Sequence, residues 1–278
     1  MLQQRIITGV LLAIFFLVVV FLLPLSWMAC VFAGVAVLGV WEWTGLSGIK
    51  VPWVRWLYAA ALIPGLGALW LLCDLGGQSS RVQVQPWLGL ACVFWSLALF
   101  LIKYYPSSAE LWRFDVLRVL MGWLILGATW LALVFLRTMP NGGLLVLLLL
   151  ILVAAADIGA YFIGRRFGVH KLVPAVSPGK TWEGLWGGVL AVFVITVIVF
   201  QNLPPTLAHL RMASVLLLAF AVAGASVVGD LTVSMLKREA GVKDTSHLLP
   251  GHGGVMDRID SFCGAAPIFA LGLILMSY

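Results

Sequence analysis

The chain is expected to fold as an all-α, polytopic transmembrane helical bundle of about nine spans, N-terminus cytoplasmic and C-terminus periplasmic. Composition, the length of the apolar runs and the placement of Lys and Arg predict this. Of the 278 residues, 63% are hydrophobic and 10% charged, against roughly 25% charged in an ordinary soluble domain. A water-soluble surface cannot be assembled from that, so the bilayer is the expected solvent. Its hydrocarbon core is about 30 Å thick and takes roughly 20 helical residues to cross.

In chain order the expected spans are 6–23, 26–45, 56–73, 86–102, 117–136, 142–163, 184–201, 212–233 and 261–277. Helices are predicted because continuous apolar runs lack the alternation of a membrane barrel strand. The first run follows Arg5 and resembles a signal peptide, but no convincing cleavage site follows it and Pro24 leads straight into the second run. It is therefore read as a helix. Cys30, Cys73, Cys92 and Cys263 are scattered through or beside the runs with no CxxC pair. They read as small buried residues, not as a disulfide set or a metal site.

Nine spans divide the connections into two sets. Arg5, Lys50, Arg55, Lys103, Arg113, Arg118, Arg165, Arg166, Lys171, Lys180, Lys237, Arg238, Lys243 and Arg258 fall on the side of the N-terminus, and only Arg81, Arg137 and Arg211 on the other, completing the 17. Because positive residues stay on the cytoplasmic side, that side is assigned to the N-terminus. The net charge of +6 is then explained by topology and by contact with anionic headgroups, and nucleic-acid binding is not implied.

Acidic residues are uneven along the chain. Glu42, Asp74, Glu110 and Asp115 precede residue 150, whereas Asp157, Glu183, Asp230, Glu239, Asp244, Asp257 and Asp260 follow it. Residues 1–140 are read as an N-terminal transmembrane scaffold and 141–278 as a C-terminal transmembrane catalytic domain with cytoplasmic active-site loops. Asp157 and Asp230 each sit inside or near the cytoplasmic end of a span. An Asp at a helix centre costs on the order of 3 kcal/mol, and such residues face a bundle interior or a wet cavity. The plainer alternative is that both are solvated at the membrane surface.

Their neighbours favour a cavity. Ser226, Asp230, Ser234 and Lys237 recur at steps of four, four and three, placing a polar stripe on one helix face. Asp157, Tyr161, Gly164 and Arg165 repeat the arrangement on the sixth span, where Gly159 and Gly164 permit close helix approach.

The loop after the sixth span ends in Ser177, Pro178, Gly179, Lys180 and Thr181. Lys, hydroxyls and free N–H groups at a helix start suit an anion. The spacing is not that of a Walker A loop, and Ser or Thr near Glu183 also reads as a helix cap. The next loop, SMLKREAGVKDTSHLLPGHGGVMDRID over 234–260, is denser in charge. Asp230, Asp244, Asp257 and Asp260 offer hard oxygen ligands suited to Mg²⁺, while Lys237, Arg238, Lys243 and Arg258 can neutralise phosphates. Gly251, Gly253 and Gly254 surround His252, allowing positive φ or close approach to a ligand. For His252 a structural role competes with a catalytic one, because such transfers depend mainly on positioning and charge neutralisation.

The pattern S-x-L-K-R-x4-K-D-x-S-x2-L-P-x-H-G-G-V-x-D-R-I-D, complete over 234–260, resembles the signature of the phosphatidate cytidylyltransferases. DIGAYFIGRRFG (157–168) and SPGKTWEG (177–184) are similar to two earlier motifs of that family, in the same order. The specific resemblance covers about residues 151–278. It implies a CDP-diacylglycerol synthase in which CTP and phosphatidate give CDP-diacylglycerol and pyrophosphate, using Mg²⁺ with a second cation as an option. It further implies that Asp230 and Asp257 hold the metal, with Asp157 second in rank at the same polar centre, and that the protein is a homodimer of a bacterial-type inner membrane. Lys180 and Lys237 are expected to act with Asp230 and Asp257 on the reacting groups. Ser177, Thr181, Ser234, Arg238, Lys243, Asp244, His252, Gly253, Gly254, Arg258, Asp260, Asp157 and Tyr161 are expected to contact substrate. A CTP-dependent kinase of a lipid alcohol would share the nucleotide site but transfer the γ-phosphoryl group, and the full signature argues against it. A transporter would place its polar site near the midplane of inverted repeats, whereas here the polar residues gather at one surface.

Overall fold

A computed structural model describes residues 2–77, 81–202 and 210–276, with side chains from residue 6 onward. The side chain of Arg5 and the end of the last expected span, residue 277, lie outside the described residues. The elements are α1 (Leu2–Leu22), α2 (Leu25–Leu46), α3 (Pro52–Ala60), α4 (Leu62–Leu72), α5 (Arg81–Lys103), a 3-10 turn (Ser107–Trp112), α6 (Asp115–Thr138), α7 (Gly142–Phe167), a hairpin of β1 (Lys171–Val173) and β2 (Ser177–Thr181), α8 (Trp182–Phe200), α9 (Met212–Glu239) and α10 (Met256–Met276).

Each of the nine apolar runs falls on helix, and the protein is a multi-pass membrane protein. Among the described residues eight stretches are long and apolar enough to cross a bilayer, α3 and α4 together forming one of them, and the apolar part of α1, Ile6–Leu22, is shorter. The break at Ala61 between α3 and α4 follows from Pro64, whose ring displaces the carbonyl four residues earlier and which has no N–H to donate.

Helices α7, α9 and α10 extend past the hydrophobic boundaries expected for them. The expected ends at 163 and 233 become Phe167 and Glu239, and the expected start at 261 becomes Met256. Hydropathy stops at the first charged residue, but the backbone ladder does not. Asp157, Asp230, Lys237, Asp257 and Asp260 therefore sit on rigid helix, and the true loop after α9 is only 240–255. The hairpin was not anticipated. Its strands are antiparallel, with Lys171 opposite Thr181 and Val173 opposite Ser177.

Helix α6 is the most enclosed, with 83% of its apolar window buried. The Trp43 indole of α2 donates to the Arg118 carbonyl at 2.6 Å, and Trp130 of α6 donates to Ala29 O of α2 at 2.9 Å. Without a hydrophobic drive between helices in lipid, close backbone packing takes over. The expected approach at Gly159 is present: a Cβ there would meet Gly187 O of α8 at 2.7 Å, and one at Gly164 would meet the Gly184 Cα at 3.3 Å. Between α9 and α10, a Cβ at Gly229 would strike the Asp260 carbonyl. That contact sets Asp230 beside Asp260. All four cysteines are free, Cys73 and Cys263 being buried and Cys30 exposed.

Candidate active site

The polar centre starts from α9. Immediately after Gly229, the Asp230 carboxylate takes Lys180 Nζ on Oδ2 at 2.6 Å and the Ser234 hydroxyl on Oδ1 at 3.0 Å. Lys180 comes from β2, so the hairpin is what carries this cation to α9. The hairpin is tied down on two sides. Arg238 Nε donates to Val176 O at 3.1 Å. The Glu183 carboxylate accepts from the Val169 and His170 backbone N–H groups and lies 2.7 Å from His170 Nδ1. Thr181 is the N-cap of α8, its Oγ1 accepting from Gly184 N at 3.2 Å. The cap reading of this segment and its role in placing Lys180 are thus two aspects of one structure.

Asp157 of α7 and Asp260 of α10 complete the cluster. Asp157 is close enough to interact electrostatically with Lys180, Asp230 and Arg258, and Asp260 with Asp230, Lys237 and Lys180. Three carboxylates facing a few cations at a membrane surface are held against their mutual repulsion by the helices that carry them.

Asp257 has a different environment. It lies in the first turn of α10, where an acid complements the helix dipole. Its Oδ1 takes Lys237 Nζ at 2.8 Å, and its Oδ2 accepts from Thr245 N at 2.9 Å, Thr245 Oγ1 at 3.0 Å and Gly254 N at 2.9 Å. Lys237 and Asp257 are 12% and 3% exposed, so this is a buried ion pair. The donors are uneven: Oδ2 is crowded by the loop, while Oδ1 takes Lys237 alone. Asp257 thereby folds the 240–255 loop back onto α9.

Sequence reasoning missed the residue on the far side of that loop. Glu42 of α2 is completely buried. It accepts from Ser246 Oγ at 2.6 Å and Val255 N at 2.9 Å on Oε1, and from Thr245 Oγ1 at 3.0 Å and Met256 N at 2.7 Å on Oε2. Its signal was a lone carboxylate in an otherwise apolar run, the same signal that singled out Asp157 and Asp230. Gly254 has to be glycine here, since a Cβ would sit 2.6 Å from both Glu42 oxygens. Gly251 and Gly253 take φ of +74 and +81, the left-handed conformation expected for the HGG turn.

Two cavities meet at this centre. A polar one of about 600 Å³ is lined by Lys243, Asp244, His247, 249–253 and Arg258. An apolar one of about 490 Å³ runs between α1, α2, α6, α7 and α10, past Phe16, Phe32, Trp130 and Leu133, and its polar end is formed by Asp157, Asp257, Arg258, Asp260 and Ser261. Arg258 and Leu249 are common to both walls. His252 Nδ1 is buried without a hydrogen-bond partner among the described residues, and Thr8 of α1 donates to Pro250 O at 3.3 Å. The first helix therefore closes over the turn.

Of the residues expected from sequence, Asp157, Asp257, Arg258 and Asp260 line the polar end of the apolar cavity; Lys180, Asp230 and Ser234 form a contacting group and Lys237 pairs with Asp257, outside both cavity walls; and Lys243, Asp244, His252 and Gly253 line the polar cavity, with Gly254 next to it. Ser177 pairs with Val173 in the hairpin, and Arg238 braces that hairpin. Ser226, on the expected stripe, bonds back to Ala223 O at 2.8 Å within the core. Tyr161 points away: it is 57% exposed, and its hydroxyl accepts from Arg165 at 2.8 Å. At the end of α9, Glu239 takes the Tyr105 hydroxyl at 3.4 Å and Arg118 at 3.8 Å. Burial, and then the Glu239 charge, hold the Tyr105 hydroxyl above the usual tyrosine range, so it remains a donor there.

A sequence model described as the Cytidylyltransferase family matches residues 3–276. The chain is 45% identical over 270 residues to a protein of Pseudomonas aeruginosa named phosphatidate cytidylyltransferase, covering 97% of this chain and 96% of that one. Proteins of the same name are similar in Haemophilus influenzae, at 40% identity over 97% and 98% of the two chains, and in Bacillus subtilis, at 32% over 99% and 98%.

Proposed function

The chain belongs to the cytidylyltransferase family, and from that premise we propose that the junction of the two cavities joins CTP to phosphatidate, forming CDP-diacylglycerol and pyrophosphate for phospholipid synthesis. The observation that carries this reading is the place of Arg258 in both cavity walls. One wall is polar and rich in cations, as a nucleoside triphosphate requires. The other is apolar and ends in charge, as a lipid with an anionic headgroup requires.

In this reaction a phosphate oxygen of phosphatidate attacks the α-phosphorus of CTP, the bond between the α-phosphorus and its bridging oxygen breaks, and pyrophosphate leaves. The second pKa of a phosphate monoester is about 6, so the nucleophile is largely ionised near neutral pH and no strong general base is demanded. The work left to the protein is to hold two anions together and stabilise the charge that moves onto pyrophosphate. Lys243 and the His252 turn suit the triphosphate, Arg258 suits the meeting point, and Lys180 and Lys237 are held close by on their aspartates. The acyl chains occupy the apolar cavity between α1 and α7 while the cytidine stays in water.

We further propose Mg²⁺ as cofactor. The carboxylate oxygens of Asp230, with Asp157 and Asp260 nearby, suit a hard cation that takes one or two carboxylates and completes its shell with phosphate and water; among the described residues no group of three His, Cys, Asp or Glu is placed to hold a metal by itself. When bound, the ion would neutralise nucleotide phosphate charge. Asp230 fits this role directly, with Asp157 and Asp260 at hand. Asp257 is less open to it, since the loop crowds Oδ2 and Lys237 stands on Oδ1. A second copy of the chain is kept as partner on family resemblance alone.

Purified protein given labelled CTP, phosphatidate and Mg²⁺ is expected to yield a CDP-lipid and pyrophosphate. Formation of CDP with a newly phosphorylated lipid would instead assign a kinase. The bias of Lys and Arg supports an inner-membrane location with the site facing the cytoplasm. Reporter fusions in 164–183 and 238–260 should then both read cytoplasmic, and a periplasmic reading from either overturns that orientation.

A further inference from the structure

We propose that Glu42, on the second helix, is a positioning residue that sets the shape of the nucleotide cavity. The inference rests on the cytidylyltransferase reading and extends it to a residue outside the three motif segments. Glu42 lies in neither cavity wall, so it acts through the groups it holds.

Those groups belong to both ends of the site. Val255 N and Met256 N are first-turn amides of α10, which have no partner within their own helix. Glu42 accepts both, at 2.9 and 2.7 Å, so the helix carrying Asp257, Arg258 and Asp260 is capped by a carboxylate from another span. The same carboxylate takes the side chains of Thr245 and Ser246, which follow Lys243 and Asp244 in the wall of the polar cavity. The Thr245 hydroxyl stands 3.0 Å from Glu42 Oε2 and 3.0 Å from Asp257 Oδ2. This one hydroxyl, 203 residues after Glu42 and 12 before Asp257, stands between the carboxylate of α2 and that of α10 and can give its proton to either.

A simple space-filling role would not need a charge. Burying a carboxylate costs several kcal/mol unless its acceptor sites are filled, and here four donors converge on it. The amide of Glu42→Gln keeps the shape but turns an NH₂ group toward two of those donors. The cap and the loop would then sample other arrangements. A ligand that binds only the competent arrangement loses apparent affinity in proportion to its reduced population.

The test is steady-state kinetics on the full chain in detergent or lipid, varying CTP at saturating phosphatidate. Glu42→Gln is expected to raise the KM for CTP at least fivefold while kcat falls less than threefold, because high CTP selects the competent loop. A role confined to stability would lower the amount of active protein and leave KM unchanged. A KM within twofold of wild type therefore overturns the proposal. Should Glu42→Gln fail to insert, Ser246→Ala removes one hydroxyl from Glu42 without touching the charge, and Thr245→Val removes the other, which also lies against Asp257. Each is expected to raise the KM two- to fivefold, and no change in either overturns the proposal as well. Absence of any CDP-lipid from the wild-type protein would instead overturn the family-based reading of the reaction, separately from the role of Glu42.

Discussion

Asp230→Asn is expected to lower kcat/KM by about 10³-fold, in line with the loss of one preorganised electrostatic group, while the protein remains inserted and folded. That factor corresponds to about 4 kcal/mol of transition-state stabilisation. Asn can keep its carbonyl toward Lys180 and its NH₂ toward the Ser234 oxygen, which turns its own hydroxyl away. Both present contacts, at 2.6 and 3.0 Å, thus have counterparts with a neutral side chain, and the Lys180 and Asp230 side chains are 25% and 27% exposed. What disappears is the negative charge that holds Lys180 and that is best placed for a cation beside the nucleotide. Turnover within tenfold of wild type, measured with labelled CTP, would remove Asp230 from the proposed centre.

Asp257→Asn is expected to be as damaging to activity but to differ in stability. Four donors converge on this carboxylate, and an amide must turn its NH₂ toward at least one of them. The least costly choice leaves Lys237 facing a donor. Removing one partner of a buried pair costs about 3–5 kcal/mol, so the thermal midpoint should fall clearly, unlike that of Asp230→Asn. Adding Lys237→Met should restore much of the midpoint, since replacing both members of a buried pair is far milder, without restoring activity. A midpoint equal to wild type in the single variant would show that Lys237 is not dependent on Asp257.

The membrane class and most helices were legible because a run of roughly 20 apolar residues has few other uses. The three motif segments were legible because charge, Gly and His are costly at a bilayer surface and concentrate where they are needed. Helix ends were misplaced at α7, α9 and α10 because hydropathy marks the end of an apolar run, whereas helix is defined by the backbone ladder, and the two part company where a helix continues into charged sequence. The hairpin of 171–181 escaped because its strands are short and without alternation, with Pro174 in the turn between them and Pro178 inside the second; it is held from outside by Arg238 and Glu183. Glu42 was visible as a charged residue but was grouped with the scaffold, because its partners lie about 200 residues away. The expected stripe on α9 divided in the same manner: Asp230, Ser234 and Lys237 face the centre, while Ser226 satisfies itself on Ala223.

By itself, then, the sequence determined the solvent, the class of fold and the segments in which charge, Gly and His concentrate, all of which follow from local composition and spacing. Only the tertiary structure decided which apolar faces meet protein and which meet lipid, since Leu is equally at home against either. It alone decided that Asp230 pairs with Lys180, that Asp257 is held between its own loop and Lys237 of α9, and that Glu42 caps α10. Those assignments depend on distances of 3 Å or less between residues far apart in the chain, and no local pattern encodes them.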